Sequence, residues 1–134
     1  MLIERAKIPF GFAIPAGHVD NDTTYEAAAV RELTEEVGLT ADSLTLLVEG
    51  REENPCRRGG SWHYWKVYEV STKGEPERSM EETKKMGWYS PEDVRILADR
   101  TEQYKTGSIT EDVWEREPGL EPVMYDLFKK LQLI

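Results

Sequence analysis

GHVDNDTTYEAAAVRELTEEVGL, residues 17–39, is the stretch on which the reading of the fold turns. Its second half predicts a helix over 24–37, with Thr24 as N-cap, Glu26 in the first turn and Gly38 just past the end. At about 100° per residue, Val30, Leu33 and Val37 share one side of that helix and Glu32, Glu35 and Glu36 share another. One side packs and the other faces a cleft or water. Acids on a helix are usually just solvated, and like charges at i, i+4 cost only about 0.2–0.5 kcal/mol per pair. The acidic face alone therefore does not establish a site. Three carboxylates so placed do offer oxygen ligands to a hard divalent cation, and Mg²⁺ commonly combines one or two carboxylates with substrate phosphates.

Outward from the helix, Leu2 and Ile3 read as the end of a short strand, and 8–15 as an irregular strand or loop. Residues 44–49 read as a strand and 52–60 as a loop, marked by Asn54-Pro55 and Gly59-Gly60. WHYWKVYEV, residues 62–70, is apolar on both faces and predicts a strand inside a sheet covered on both sides. A turn follows at 73–76 and a short strand at 85–89. Ser90-Pro91 starts a helix running to about Tyr104. Residues 106–119 read as irregular, and 121–131 as a final helix with an apolar stripe. The fold class is α/β, a mixed sheet between helices.

The chain has 134 residues, 39% of them hydrophobic, which suits one domain over 1–134. A net charge of −9 argues against a nucleic-acid polymer as partner, because duplex binding rests on Lys and Arg neutralising phosphates. It leaves a small phosphorylated ligand open, since a bound cation inverts the local field. Cys56 is the single cysteine, so no intrachain disulfide forms, and a cytoplasmic location is expected. No apolar run suggests a signal peptide or a membrane span.

The spacing of the acids carries more than their charge. Gly17, Arg31, Glu32, Leu33, Glu35, Glu36, Gly38 and Leu39 meet eight of the nine specified positions of the pattern G-x5-E-x7-R-E-U-x-E-E-x-G-U, with U a bulky aliphatic. In this the chain resembles the Nudix hydrolase family (MutT-like). The IPAGHV approach to Gly17, the aromatic strand and the Gly87–Glu92 run into a helix are similar to the family as well. The resemblance implies a Nudix-like α/β/α sandwich that hydrolyses the diphosphate of a nucleoside diphosphate linked to another group. It implies Mg²⁺ or Mn²⁺ held by Glu32, Glu35 and Glu36, with the Ala16 backbone carbonyl as a further ligand. Arg31 would orient the carboxylates, or be a plain helix ion pair. Gly17 would let the backbone approach the metal, or merely serve a turn.

Two departures qualify the resemblance. Thr23 stands where the family has its first glutamate, with Asp22 and Asp20 as nearby substitutes for its charge; Thr23-x-x-Glu26 is also a capping box. The chain also begins almost at the signature, where relatives carry one or more further strands. That predicts an exposed sheet edge or a homodimer. A Nudix-fold module that binds a nucleotide without cleaving it is the alternative, and a non-nucleotide diphosphate the alternative substrate.

For the substrate, Trp62, Tyr64 and Trp65 are candidates to stack on a base, or are core. Arg57 and Arg58 are candidates to clamp phosphates, or are solvated. Glu81 or Glu82 falls where relatives have a further acidic ligand or base. Pro55 lies near a proline position of ADP-ribose hydrolysing relatives. His63 reads as a satisfied core residue, His18 as a better candidate for the site, and Cys56 as a thiol beside two arginines.

Overall fold

Alternate residues of the first strand serve opposite faces, and the layering of the molecule follows from that. In the computed structural model, which describes residues 1–56 and 58–134, β1 spans Leu2–Arg5 and pairs antiparallel with β2 (Phe12–Ala13) on one side and β5 (Thr83–Gly87) on the other. Ile3 packs with Leu33, Val37 and Leu39 of the helix α1 (Tyr25–Val37) and the turn after it. Leu2 packs on the opposite side with Phe12, Ala98, Tyr125 and Phe128, which come from β2 and from the helices α2 (Pro91–Lys105) and α4 (Pro122–Lys130). A sheet between helices is the result, as the sequence predicts. The strand pairings are antiparallel. The parallel element among the described residues is an isolated bridge from Phe12 to Leu120.

The long strands β3 (Thr40–Glu52) and β4 (His63–Lys73) form a separate antiparallel hairpin, with register shifts between Ala41 and Ser43 and between Leu46 and Val48. Its inner residues dock at two places. Ala41 and Val70 lie against the α1 cluster, and Val48, Trp65 and Val67 against Val123, Met124 and Leu127 of α4.

The hairpin corrects one expectation. β4 is not covered on both sides: Tyr64 is 46% exposed, as is Trp62 just ahead of the strand, and Leu46 and Leu47 are exposed on β3. Trp62 and Tyr64 line an open cleft, while Trp65 borders that cleft and also packs on the α4 cluster. The exposed edge is relocated too. β1, the first strand, is central in its sheet, whereas among the described residues β3 and β4 pair only with each other.

Helix ends follow their caps. Thr24 accepts from the Ala27 amide at 3.0 Å, and Gly38, at φ +70°, closes α1 through its N–H to the Thr34 carbonyl. Ser90 and Asp93 complete a reciprocal capping box at α2. Within 106–119, read as irregular, a short helix α3 (Glu111–Arg116) forms. Its Trp114 is buried and stacks on Tyr104 at 4.2 Å, so packing rather than propensity fixes it. No helix of the described residues is long and apolar enough to cross a membrane.

Candidate active site

Arg31 organises the acidic face of α1. Its Nη1 donates to Glu32 Oε1 at 2.7 Å and to Glu35 Oε2 at 2.9 Å. Its Nε donates to Asp22 Oδ2 at 3.0 Å and its Nη2 to the His18 carbonyl at 2.8 Å. One planar fork thus ties two carboxylates of the helix to the loop that enters it. Of the two roles open to Arg31, an orienting group describes this geometry better than a plain ion pair. Its guanidinium is held further into the charged state by these partners, Asp22 first.

Asp22 bears on the missing signature glutamate. Thr24, not Thr23, caps the helix, and Thr23 is exposed. The carboxylate one position earlier supplies the negative partner for Arg31.

Glu36 is the deepest of the three acids, 4% exposed, and its Oε2 accepts from the Ala16 amide at 2.8 Å. The Ala16 contact is therefore made through its N–H. Burial pushes the Glu36 carboxyl up to about 7, against the pull of the Ala16 amide and of Arg5, and the charges of Glu32 and Glu82 add to the push. Burial likewise raises Glu32, opposed by Arg31 and reinforced by Glu35 and Glu82. Glu35 is exposed at the rim.

Gly17 is required by close approach. A Cβ there would meet Glu32 Oε1 at 1.8 Å. The loop backbone and the Glu32 carboxylate therefore press together, which argues against Gly17 as a mere turn residue.

The donor chemistry of these residues suits a hard divalent cation. The donors are all carboxylate oxygens, the charge of Glu35 acts on Glu32 and that of Glu32 on Glu36, and two of them are partly stripped of water. Added positive charge would relieve the desolvation and the mutual repulsion together.

The carboxylates open onto a cleft of about 1390 Å³ that reaches the hairpin. Glu82, Pro55, Arg58, Trp62, Tyr64 and Trp65 all line it. Glu82 is exposed and near enough for its charge to act on both Glu32 and Glu36, whereas Glu81 is not among the lining residues. Arg58 is engaged with Asp20, bidentate, with Nη2 to Oδ2 at 3.2 Å. Trp62 carries the Arg51 guanidinium over its ring at 4.6 Å, and Tyr64 meets Tyr25 edge-on at 6.4 Å. Trp65 donates from Nε1 to Asn54 Oδ1 at 3.1 Å. Arg57 lies outside the described residues.

Sequence reasoning missed Arg5, which lines the cleft, pulls the Glu36 carboxyl down and faces Glu121 at 3.7 Å. Its only signal was an arginine closing the first strand.

A NUDIX domain family model matches residues 1–109. Among solved structures, the fold is similar to a MutT NUDIX hydrolase from Burkholderia pseudomallei at 27% identity and TM-score 0.60, covering 68% of this chain and 72% of that one. It is similar to the NUDIX domain of Shewanella oneidensis NrtR, solved with ADP ribose, at 20% identity and TM-score 0.59, over 71% and 64% of the two chains. A C. elegans Ap4A hydrolase aligns at 23% identity and TM-score 0.51, over 80% and 83%.

Proposed function

The chain belongs to the NUDIX domain family, and from that premise we propose that it hydrolyses a diphosphate linkage in a nucleoside diphosphate joined to a second group. Mg²⁺ or Mn²⁺ is the proposed cofactor, held by Glu32, Glu35 and Glu36 with the Ala16 carbonyl as a further ligand. The observation that carries this reading is the Arg31 clamp, which holds Glu32 and Glu35 beside the buried Glu36 at the wall of an open cleft.

When bound, the ion neutralises charge on the diphosphate and lowers the pKa of water at the reacting phosphorus. The chain's own part is positioning. Arg31 keeps two carboxylates side by side and anchors them to the His18 carbonyl. The Ala16 amide fixes Glu36. One glutamate of the set takes the proton of the attacking water. Trp62 and Tyr64, half exposed in the same cleft, offer stacking faces for a base, and Arg58 a cation for a phosphate.

Thr23 favours a second reading, a nucleotide sensor that binds without turnover. The Asp22–Arg31 pair weighs against it, because the charge lost at Thr23 is restored one residue earlier.

Incubation with Mg²⁺ and a panel of nucleoside triphosphates, nucleotide sugars, ADP-ribose and Ap4A, followed by measurement of phosphate, pyrophosphate or nucleotide release, separates the two. Turnover that disappears in Glu36→Gln supports the enzyme. Tight binding with no release under any metal supports the sensor.

A further inference from the structure

In the same cleft as the carboxylates, His18, Cys56 and His63 converge. One ligand atom from each lies within 4.8 Å of the others. His18 comes from the loop before α1, Cys56 from the connection between β3 and β4, and His63 from the first position of β4, so their meeting is a product of the fold. We propose that these three residues form a binding site for Zn²⁺, distinct from the glutamate site and built for a softer ion.

The donor set is the first argument. Two imidazoles and a thiol are poor ligands for Mg²⁺ and good ones for zinc, and three protein ligands with one open position is the pattern of an exchangeable zinc site.

Geometry is the second. Cys56 Sγ and His18 Nε2 are 3.4 Å apart. Zn–S near 2.3 Å and Zn–N near 2.0–2.1 Å at a tetrahedral angle put those atoms about 3.6 Å apart. The third ligand needs only a shift of about an ångström to close the set.

The surroundings of the ligands are the third. His63 Nδ1 meets the Asn54 carbonyl at 2.9 Å. A carbonyl only accepts, so Nδ1 carries the proton and Nε2 is left as the lone-pair nitrogen, the way metal-bound imidazoles are commonly fixed. Asn54 is itself held through its side chain by Trp65. The Arg58 amide donates to Cys56 Sγ at 3.4 Å. A tight loop returns the chain there, from the Cys56 carbonyl to Gly59 N–H and from Cys56 N–H to the Gly60 carbonyl. The Arg58–Asp20 pair clips that loop to the segment carrying His18.

Zinc at this place staples the β3–β4 connection to the signature loop. Since the His18 carbonyl also receives Arg31, the staple fixes the same backbone that anchors the carboxylates. The fourth position on the ion is left for water or an anionic group of a bound molecule. The site stands whether or not the chain turns over a diphosphate.

Cobalt is the probe, since Co²⁺ takes zinc sites and reports its ligands by absorption. Titrating the reduced, metal-free chain with Co²⁺ in excess Mg²⁺ is expected to give one equivalent bound, with tetrahedral visible bands and a thiolate charge-transfer band, all bleached by Zn²⁺. Cys56→Ser should remove the charge-transfer band. His63→Gln should weaken Zn²⁺ binding at least about 100-fold, the upper end of the loss seen for a mere outer partner. Glu36→Gln should leave spectrum and affinity unchanged, which keeps this result independent of the hydrolase reading. Far-UV circular dichroism checks that each variant folds. A spectrum without the thiolate band, the same affinity in Cys56→Ser, or displacement of the ion by Mg²⁺ would overturn the site, and the Mg²⁺ competition on the unaltered chain decides even where a variant does not fold.

Discussion

The acidic face of α1 and the β3–β4 hairpin both line one cleft, yet they are built in opposite ways. On the helix nearly every polar group is committed: Arg31 alone makes contacts with Asp22, Glu32, Glu35 and the His18 carbonyl. On the hairpin, large apolar side chains stand partly in water, and the wall is held by docking points at Val67 and Val70. A wall that positions ions must be rigid before they arrive, because misplacement by an ångström costs rate. A wall that receives a substrate keeps its faces open. Under the proposed hydrolase reading, chemistry falls to the helix and recognition to the hairpin.

The largest effect expected from breaking the helix wall is on turnover. Glu36→Gln should lower kcat by roughly 10²–10³, the loss produced by removing one preorganised electrostatic partner. Steady-state release of product with saturating Mg²⁺ measures it. A drop of less than tenfold would move the chemistry away from α1.

The same residue gives a pH signature without metal. Burial raises the Glu36 carboxyl from its ordinary 4.5 to about 7 in the fold. The folded chain therefore binds that proton more tightly than the unfolded one. Its contribution to stability is full below about pH 4.5 and is lost as pH rises through 7, by at most about 3 kcal/mol. Urea unfolding in a chelator at pH 5 and pH 8 should show this slope, and Glu36→Gln should flatten it relative to the unaltered chain. Equal slopes in the two proteins would place Glu36 in water.

A smaller loss tests the cradle. Gly17→Ala drives a methyl into the space of the Glu32 carboxylate. The carboxylate is the far end of a flexible side chain, so it yields and stability changes little. Mn²⁺ affinity should fall about 10–100-fold, as it does when a ligand's support is removed. Calorimetric titration with Mn²⁺ reads it directly.

The hairpin is sharpened by a pair of substitutions. Val67→Ala empties a buried site against α4 and should cost about 2 kcal/mol. Leu46→Ala, at an exposed position of the same hairpin, should stay within about 0.5 kcal/mol. Chemical denaturation of both decides whether the hairpin is held at its docking points or along its length.

What was legible in the sequence was local. Thr24, Gly38 and the Ser90–Asp93 box act within a turn or two of the residues they cap, so α1 and α2 could be read from spacing. The glutamate face was legible for the same reason. What lies across a cleft is not encoded in spacing. WHYWKVYEV has the composition of a buried strand, and only the absence of cover on one face makes its aromatics a wall. β3 runs longer than its apolar centre because its ladder to β4 carries Thr40, Ala41 and Ser43 along. α3 is too short to announce itself, and its Trp114 needed Tyr104 from another helix. His63 was read as core, and its partners in Asn54 and His18 come from elsewhere in the chain. Asp22 was within reach of sequence reasoning as a stand-in for the missing glutamate. Only the Arg31 contact chose it over Asp20, which is occupied by Arg58.

The central place of β1 also sets an order in time. Leu2 pairs with Gly87 and Arg5 with Thr83, so β1 pairs early with β2 but waits for the distant β5 before its three-stranded sheet is complete. α1, β3 and β4 all lie in the interval between β1 and β5. Closing so long a loop costs entropy before any contact repays it, and chains organised this way gather slowly. The cleft is therefore assembled by the event that finishes the sheet, when the strand that carries Thr83 draws the neighbouring Glu82 up to the glutamates of α1.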